Sequence, residues 1–340
     1  MVEKMEELDE TNHIENNQYS ASSQKSSTPP KKEGRTFAEA VPAIKMACLF
    51  VVSQSIAIGL SYLFKAKNME AFEDPESMSN ILFFGAIILT FTVILLIIIK
   101  YGKKRLIQLI ILASIGATLF YVFYPFLEFV FPSTLSTIIA LALSVLLVWW
   151  LYKYPEWYVV DGVGIIVAAG AAAIFGISLA ILPVIILLVA LAIYDAISVY
   201  KTKHMITLAD GVTDLHLPVL VVIPKTKDYS FLKQGSLKKE LDDGEEREAM
   251  FLGLGDIVIP CILAVSALTF LEPGRLIFGI SRNLIVAVST MIGSLIALLI
   301  LSTLVGKGKA HAGLPFLNTG AIIGYLISTY IMYRNFGINL

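Results

Sequence analysis

Histidine, cysteine and charge are all scarce in this chain. Two cysteines, Cys48 and Cys261, each fall inside apolar runs. They support neither a disulfide framework nor a zinc spacing, and both read as small buried hydrophobes. His13, His204, His216 and His311 are too scattered for a metal centre, so no metal and no cofactor is expected. Only 16% of the 340 residues are charged and the net charge is −1, which removes the basic surface that nucleic-acid binding needs. Apolar residues stand in their place. The chain is 56% hydrophobic with a mean hydropathy of +0.77, too apolar for a soluble domain.

The polar exception is Met1–Gly34, rich in Glu, Asn, Ser and Lys and containing Pro29-Pro30. It cannot bury enough apolar surface to fold, so residues 1–37 are expected to be a disordered cytoplasmic tail. The first apolar run starts too far along the chain, and is too long, for a secretory signal peptide. About nine apolar runs of membrane-spanning length follow, roughly at 38–64, 79–99, 105–126, 133–152, 159–180, 182–200, 250–271, 284–305 and 312–333. The expected fold class is therefore an all-α polytopic membrane protein. Its N-terminal six-helix part (38–200) is joined by a cytoplasmic loop (201–249) to a C-terminal three-helix part (250–340). Prolines near 125–132 and at 183 separate runs that almost merge.

Lysine and arginine crowd one set of loops: Lys100, Lys103, Lys104 and Arg105, then Lys153, the 201–249 loop, and Lys307 and Lys309. The other set holds only Lys65, Lys67, Arg275, Arg282 and Arg334. The positive-inside rule then places the N-terminus in the cytoplasm and the C-terminus outside a cell membrane. The fifth span carries a run of Gly and Ala that suits close helix packing, and Asp161 at its edge reads as solvated. Within the long loop, Leu217–Ile223 is short and Val-rich, which favours a strand, and residues 225–247 read as flexible and solvated.

Two acids stand out. Asp256 lies in Phe251–Pro260, at the start of the seventh span, and Asp195 near the end of the sixth. A carboxylate inside a bilayer is costly and marks function by default. Counted by helix rise, both lie roughly 9–10 Å below the same membrane edge, because both spans flank one loop. Two carboxylates in contact at low dielectric do not both ionise, and the pair shares a proton. That is the state in which one acid activates a water and the other protonates a peptide carbonyl, with no metal or covalent intermediate. Gly253 and Gly255 clear space for a substrate backbone, and Pro260 removes the helical partner of the Asp256 carbonyl. A transmembrane substrate must unwind before cleavage, and the Leu217–Ile223 strand is a candidate edge to hold it extended.

Tyr194-Asp195, Gly253-Leu254-Gly255-Asp256 and Ala312-Gly313-Leu314-Pro315 in successive order resemble the three motifs of the presenilin and signal peptide peptidase family of intramembrane aspartyl proteases, its archaeal members most of all. The resemblance spans residues 38–333. It implies a presenilin-like fold, Asp195 and Asp256 as the catalytic pair, and transmembrane helices as substrates. It also implies substrate contacts at Tyr194, Gly253, Leu254, Gly255, Gly313, Leu314 and Pro315. The family's third motif is Pro-Ala-Leu, so this chain lacks its first Pro, and a second register, Pro315-Phe316-Leu317, keeps Pro and Leu but not Ala. The expected partners are substrate helices and the lipid bilayer, with a homo-oligomer left open. A carboxylate-bearing transporter is the alternative from another class. A membrane scaffold with an inactive pair and a prepilin-type peptidase are further ones.

Overall fold

The computed structural model describes residues 32–101, 104–202, 219–225, 229–231, 249–274, 279–305 and 312–337. The chain divides into two compact units, 1–40 and 41–340. Of the first, only 32–40 are described, and they are helical. Among the described residues there are nine α-helices: α1 (Lys32–Ala66), α2 (Ser79–Lys100), α3 (Lys104–Leu127), α4 (Ser133–Lys153), α5 (Trp157–Ser178), α6 (Ile181–Ile197), α7 (Leu254–Phe270), α8 (Arg282–Val305) and α9 (Gly313–Tyr333). A π-helical turn, Ser198–Thr202, extends α6. The strands β1 (Leu220–Pro224) and β2 (Ala249–Gly253) pair antiparallel.

Eight of these helices are long and apolar enough to cross a membrane. The chain is a multipass membrane protein of the expected all-α class. α1 begins at Lys32, inside the stretch read as tail; the rest of that tail lies outside the described residues. The breakers act as their chemistry requires. Pro132 caps α4. Pro183 sits in the first turn of α6, where its missing N–H has no helical partner to lose.

The seventh span departs from expectation. Residues 249–253 are not helical but form β2, so α7 has only 17 residues. At ~1.5 Å per residue it covers about 25 Å, short of the ~30 Å hydrocarbon core. Gly253, extended at φ −63° and ψ 137°, marks the switch from strand to helix. Leu254 continues the ladder by donating its N–H to the Val219 carbonyl at 3.0 Å. The helix bearing Asp256 therefore starts on a sheet, and not at a charged membrane edge.

α7 is the central helix. Its buried residues run from Ile257 and Ile259 to Leu268, and it packs against α5, α6, α8 and α9. The small residues of α5 allow close approach, since a β-carbon at Gly176 would lie 2.4 Å from Val265 Cβ. α8 and α9 approach still closer through Gly293, Gly320 and Gly324. Cys261 is buried in this core, but Cys48 is exposed on α1, against the expectation for that residue.

Candidate active site

Both acids lie at helix ends. Asp195 is in the last turn of α6 and Asp256 in the first turn of α7. Asp195 is buried, with 6% of its surface exposed, and Asp256 is partly buried. α9 meets them end-on. The first N–H groups of a helix have no partner inside it, so they suit an anion. Leu314 N–H donates to Asp195 Oδ2 at 3.1 Å, and the Gly313 backbone bonds the same carboxylate. Asp256 lies across Gly313. A β-carbon there would fall 2.9 Å from Asp256 Oδ2 and 3.0 Å from its Cγ and Oδ1. Gly313 thus has Asp195 on its N–H side and Asp256 where a side chain would stand, which puts the two carboxylates within electrostatic range of each other. The register in contact with the acids is Ala312-Gly313-Leu314.

The remaining motif residues spread around this point. The Gly253 backbone bonds the Asp256 carboxylate, and a β-carbon on Gly253 would stand 3.2 Å from its Oδ2. Leu254 packs with Val221, Ile223, Leu252 and Ile257. Gly255 is exposed and a β-carbon there would meet nothing within 4 Å, so the fold itself makes no demand for glycine at this position. Tyr194 is half-buried beside Asp195. Pro315 lines an apolar groove of about 730 Å³ between α8 and α9. No cluster of His, Cys, Asp or Glu among the described residues is arranged to hold a metal.

The strand expectation is met for Leu220–Ile223, while Leu217 and Pro218 lie outside the described residues. The edge on offer is another matter. Val219 accepts from Leu254, so the ladder bonds fall at 219, 221 and 223 on β1. The N–H and C=O of Val222 then point away from β2. That N–H is already taken: it donates to Asp161 Oδ1 at 2.7 Å. Asp161 is accordingly not solvated, as its place at the span edge suggests, but 5% exposed and under β1. On β2 the outward groups are those of Ala249, Phe251 and Gly253, the last already bonded to the Asp256 carboxylate. Within the 225–247 segment Lys225 is exposed as expected, but Tyr229 and Phe231 are buried against α5.

Sequence reasoning missed four contributors. Asp161 carried a signal, an acid among apolar residues, that its edge position masked. Glu156 accepts from Ser230 Oγ at 2.9 Å and from Phe231 N–H at 3.3 Å. Tyr200 Oη receives the Ala312 N–H at 3.3 Å and so steadies the start of α9. Asn318 donates to the Leu188 carbonyl at 2.8 Å, tying α9 to α6. The four bonds of these last three residues join positions far apart in sequence, and no local pattern announces them.

A multipass helical protein with two acids converging on one helix N-terminus defines a class, a membrane protein with a paired-carboxylate centre. The comparisons narrow it. The family model for signal-peptide peptidase and presenilin aspartyl protease matches residues 47–333. Two solved structures described as a presenilin family intramembrane aspartate protease, in C222 and P2 crystals, are 35% and 36% identical to the chain. They cover 85% and 84% of it and 99% and 97% of their own length, with TM-scores of 0.63 and 0.60. No curated protein matches. The chain belongs to the presenilin and signal-peptide peptidase family of intramembrane aspartyl proteases.

Proposed function

We propose that this protein hydrolyses peptide bonds within the transmembrane segments of single-pass membrane proteins, as a GxGD-type aspartic endopeptidase with Asp195 and Asp256 as its catalytic pair. The observation that carries the reading is the convergence at Gly313. One helix N-terminus donates to Asp195 while its missing side chain makes room for Asp256. A water between two such carboxylates gives a proton to one while the other protonates the scissile carbonyl oxygen, and the peptide carbon is attacked directly. Loss of a proton from one acid and gain by the other leaves the pair ready for the reverse transfer as the amine departs.

The substrate must be extended to expose its peptide bond. β2 runs straight into Gly253 and Asp256, so a substrate strand added to its outer edge would be aimed at the pair. That moves the strand-addition role from β1 to β2. Gly255 beside Asp256 then leaves the open side free for a substrate backbone, and Leu254 and Leu314 supply apolar contacts. The lysine-rich loops favour a cytoplasmic N-terminus and an outside C-terminus, which puts the pair near the cytoplasmic face.

Cleavage of a fluorescent transmembrane peptide by the purified protein tests the reading. Asp195→Asn and Asp256→Asn should each abolish it, as should a transition-state-mimic inhibitor of aspartic proteases. Cleavage surviving either substitution removes the pair from the mechanism. A proton-coupled transporter, by contrast, would cleave nothing while still moving a solute.

A further inference from the structure

Asp161 has no part in the chemistry above, yet its burial is costly and needs a reason. Its Oδ1 takes the Val222 N–H at 2.7 Å, and its Oδ2 is buried without a hydrogen-bond partner. Val222 is the β1 residue whose backbone faces away from β2. Pro224, at the next outward position, has no N–H to offer at all. The outer edge of β1 is thus closed twice, by an acceptor from α5 and by a proline. The same strand holds the start of α7 through Val219 and Leu254, two residues before Asp256. A chain of bonded contacts therefore runs from α5 through β1 to β2 and the catalytic acid.

We infer that Asp161 is a positioning residue: by clamping β1 at Val222 it seats the two-stranded sheet on α5, closes one edge, and fixes the register in which β2 presents a substrate to Asp195 and Asp256. The inference rests on the protease reading for its last clause. The hydrophobic seat is already there, since Val222, Tyr229, Phe231 and Ala249 pack with Val159 and Val163. Apolar packing is tolerant of sliding, because it has no direction. A strand slip of one residue turns every side chain to the other face. A hydrogen bond from one N–H to a carboxyl oxygen has direction, and it stops the slip. Asp161 needs only an acceptor oxygen for this, so Asn should serve and Leu should not.

The test compares Asp161→Asn and Asp161→Leu with the wild-type protein, each confirmed folded by its elution and melting profile. Two readouts are taken. Hydrogen exchange reports the amides of 219–223, and mass spectrometry reports the set of bonds cut in a transmembrane peptide. In Asp161→Leu we expect the strand amides to lose protection by tenfold or more. Its products should spread over neighbouring bonds, and kcat should fall more than KM rises. Asp161→Asn should keep both the protection and the wild-type product set. A purely structural role would lower the melting temperature and leave the product set unchanged. Either that result or equal damage from Asn and Leu overturns the inference. If the wild-type protein itself cuts nothing, the protease reading fails and the register role with it. A loss of strand protection in Asp161→Leu under wild-type cleavage at unchanged bonds refutes only the register role.

Discussion

Among the described glycines the closest backbone approach lies between α8 and α9, and a single methyl group probes it. A β-carbon at Gly293 would lie 2.2 Å from the Gly320 carbonyl oxygen and 3.1 Å from Gly324 Cα. The reciprocal β-carbon at Gly320 would stand 2.4 Å from the Gly293 carbonyl oxygen. Backbone atoms cannot swing aside, so Gly293→Ala must part the helices by roughly 1 Å to restore ordinary contact. In lipid there is little hydrophobic drive to keep them together, and association depends on this close packing. The expected cost is about 1–3 kcal/mol, as for an overpacked core. The effect should reach the acids, because α9 carries the Leu314 N–H that holds Asp195. A displacement of that size at a catalytic group costs ~10²-fold in rate. Thermal unfolding in detergent and peptide cleavage would be measured on Gly293→Ala beside Gly59→Ala, whose β-carbon meets nothing within 4 Å. If both variants melt and cleave alike, the reasoning from backbone contact is refuted.

Other substitutions separate fold from chemistry. Gly255→Ala should leave the melting temperature unchanged or slightly raised, yet lower kcat/KM at least severalfold, because the space beside Asp256 is open in the fold and filled only by substrate; an unchanged kcat/KM would remove Gly255 from the substrate path. Gly176→Ala should destabilise by about 1–3 kcal/mol, since Val265 Cβ and Cγ1 and the Ile262 carbonyl crowd that position, and denaturant or heat titration would show it. Asn318→Leu, which removes the α9 bond to Leu188, should cost roughly 0.6–1.7 kcal/mol and should lower the cleavage rate with it. Lys67 pairs with Glu128 at 2.8 Å and holds that carboxyl below the usual carboxylate range. Its folded value being depressed, the pair's contribution is full above the unfolded value of about 4.3 and is lost as pH falls through the lower folded one. Glu128→Gln should therefore narrow the loss of melting temperature on acidification below that point, and an equal loss in both proteins would count against the pair.

The amino-acid sequence alone is a good guide where the governing physics is local. Spans show because about twenty consecutive residues must be apolar to cross a bilayer, and eight of the nine expected are long apolar helices. The exception is instructive. Ala249–Gly253 is as apolar as the helix it precedes, and only pairing with a strand 29 or so positions away makes it β rather than α. Apolar character says that a residue is out of water; it does not say which backbone partner satisfies it. Asp195 and Asp256 show for the same local reason, an acid in an apolar run. Asp161 is the same signal, but its position at the span edge suggests water where the structure has a strand.

What the sequence by itself determined, then, is the membrane class, the two acids, and their place at the ends of spans flanking one loop, for each follows from the free energy of putting a given residue in lipid. What only the tertiary structure decided is how the pair is made. The end of α9 lies against both acids, Gly313 has no side chain where Asp256 stands, and Asp161 is bonded to β1. These depend on directional bonds and close backbone contacts between segments more than a hundred residues apart, in the case of α6 and α9, and such geometry leaves no periodic trace along the chain.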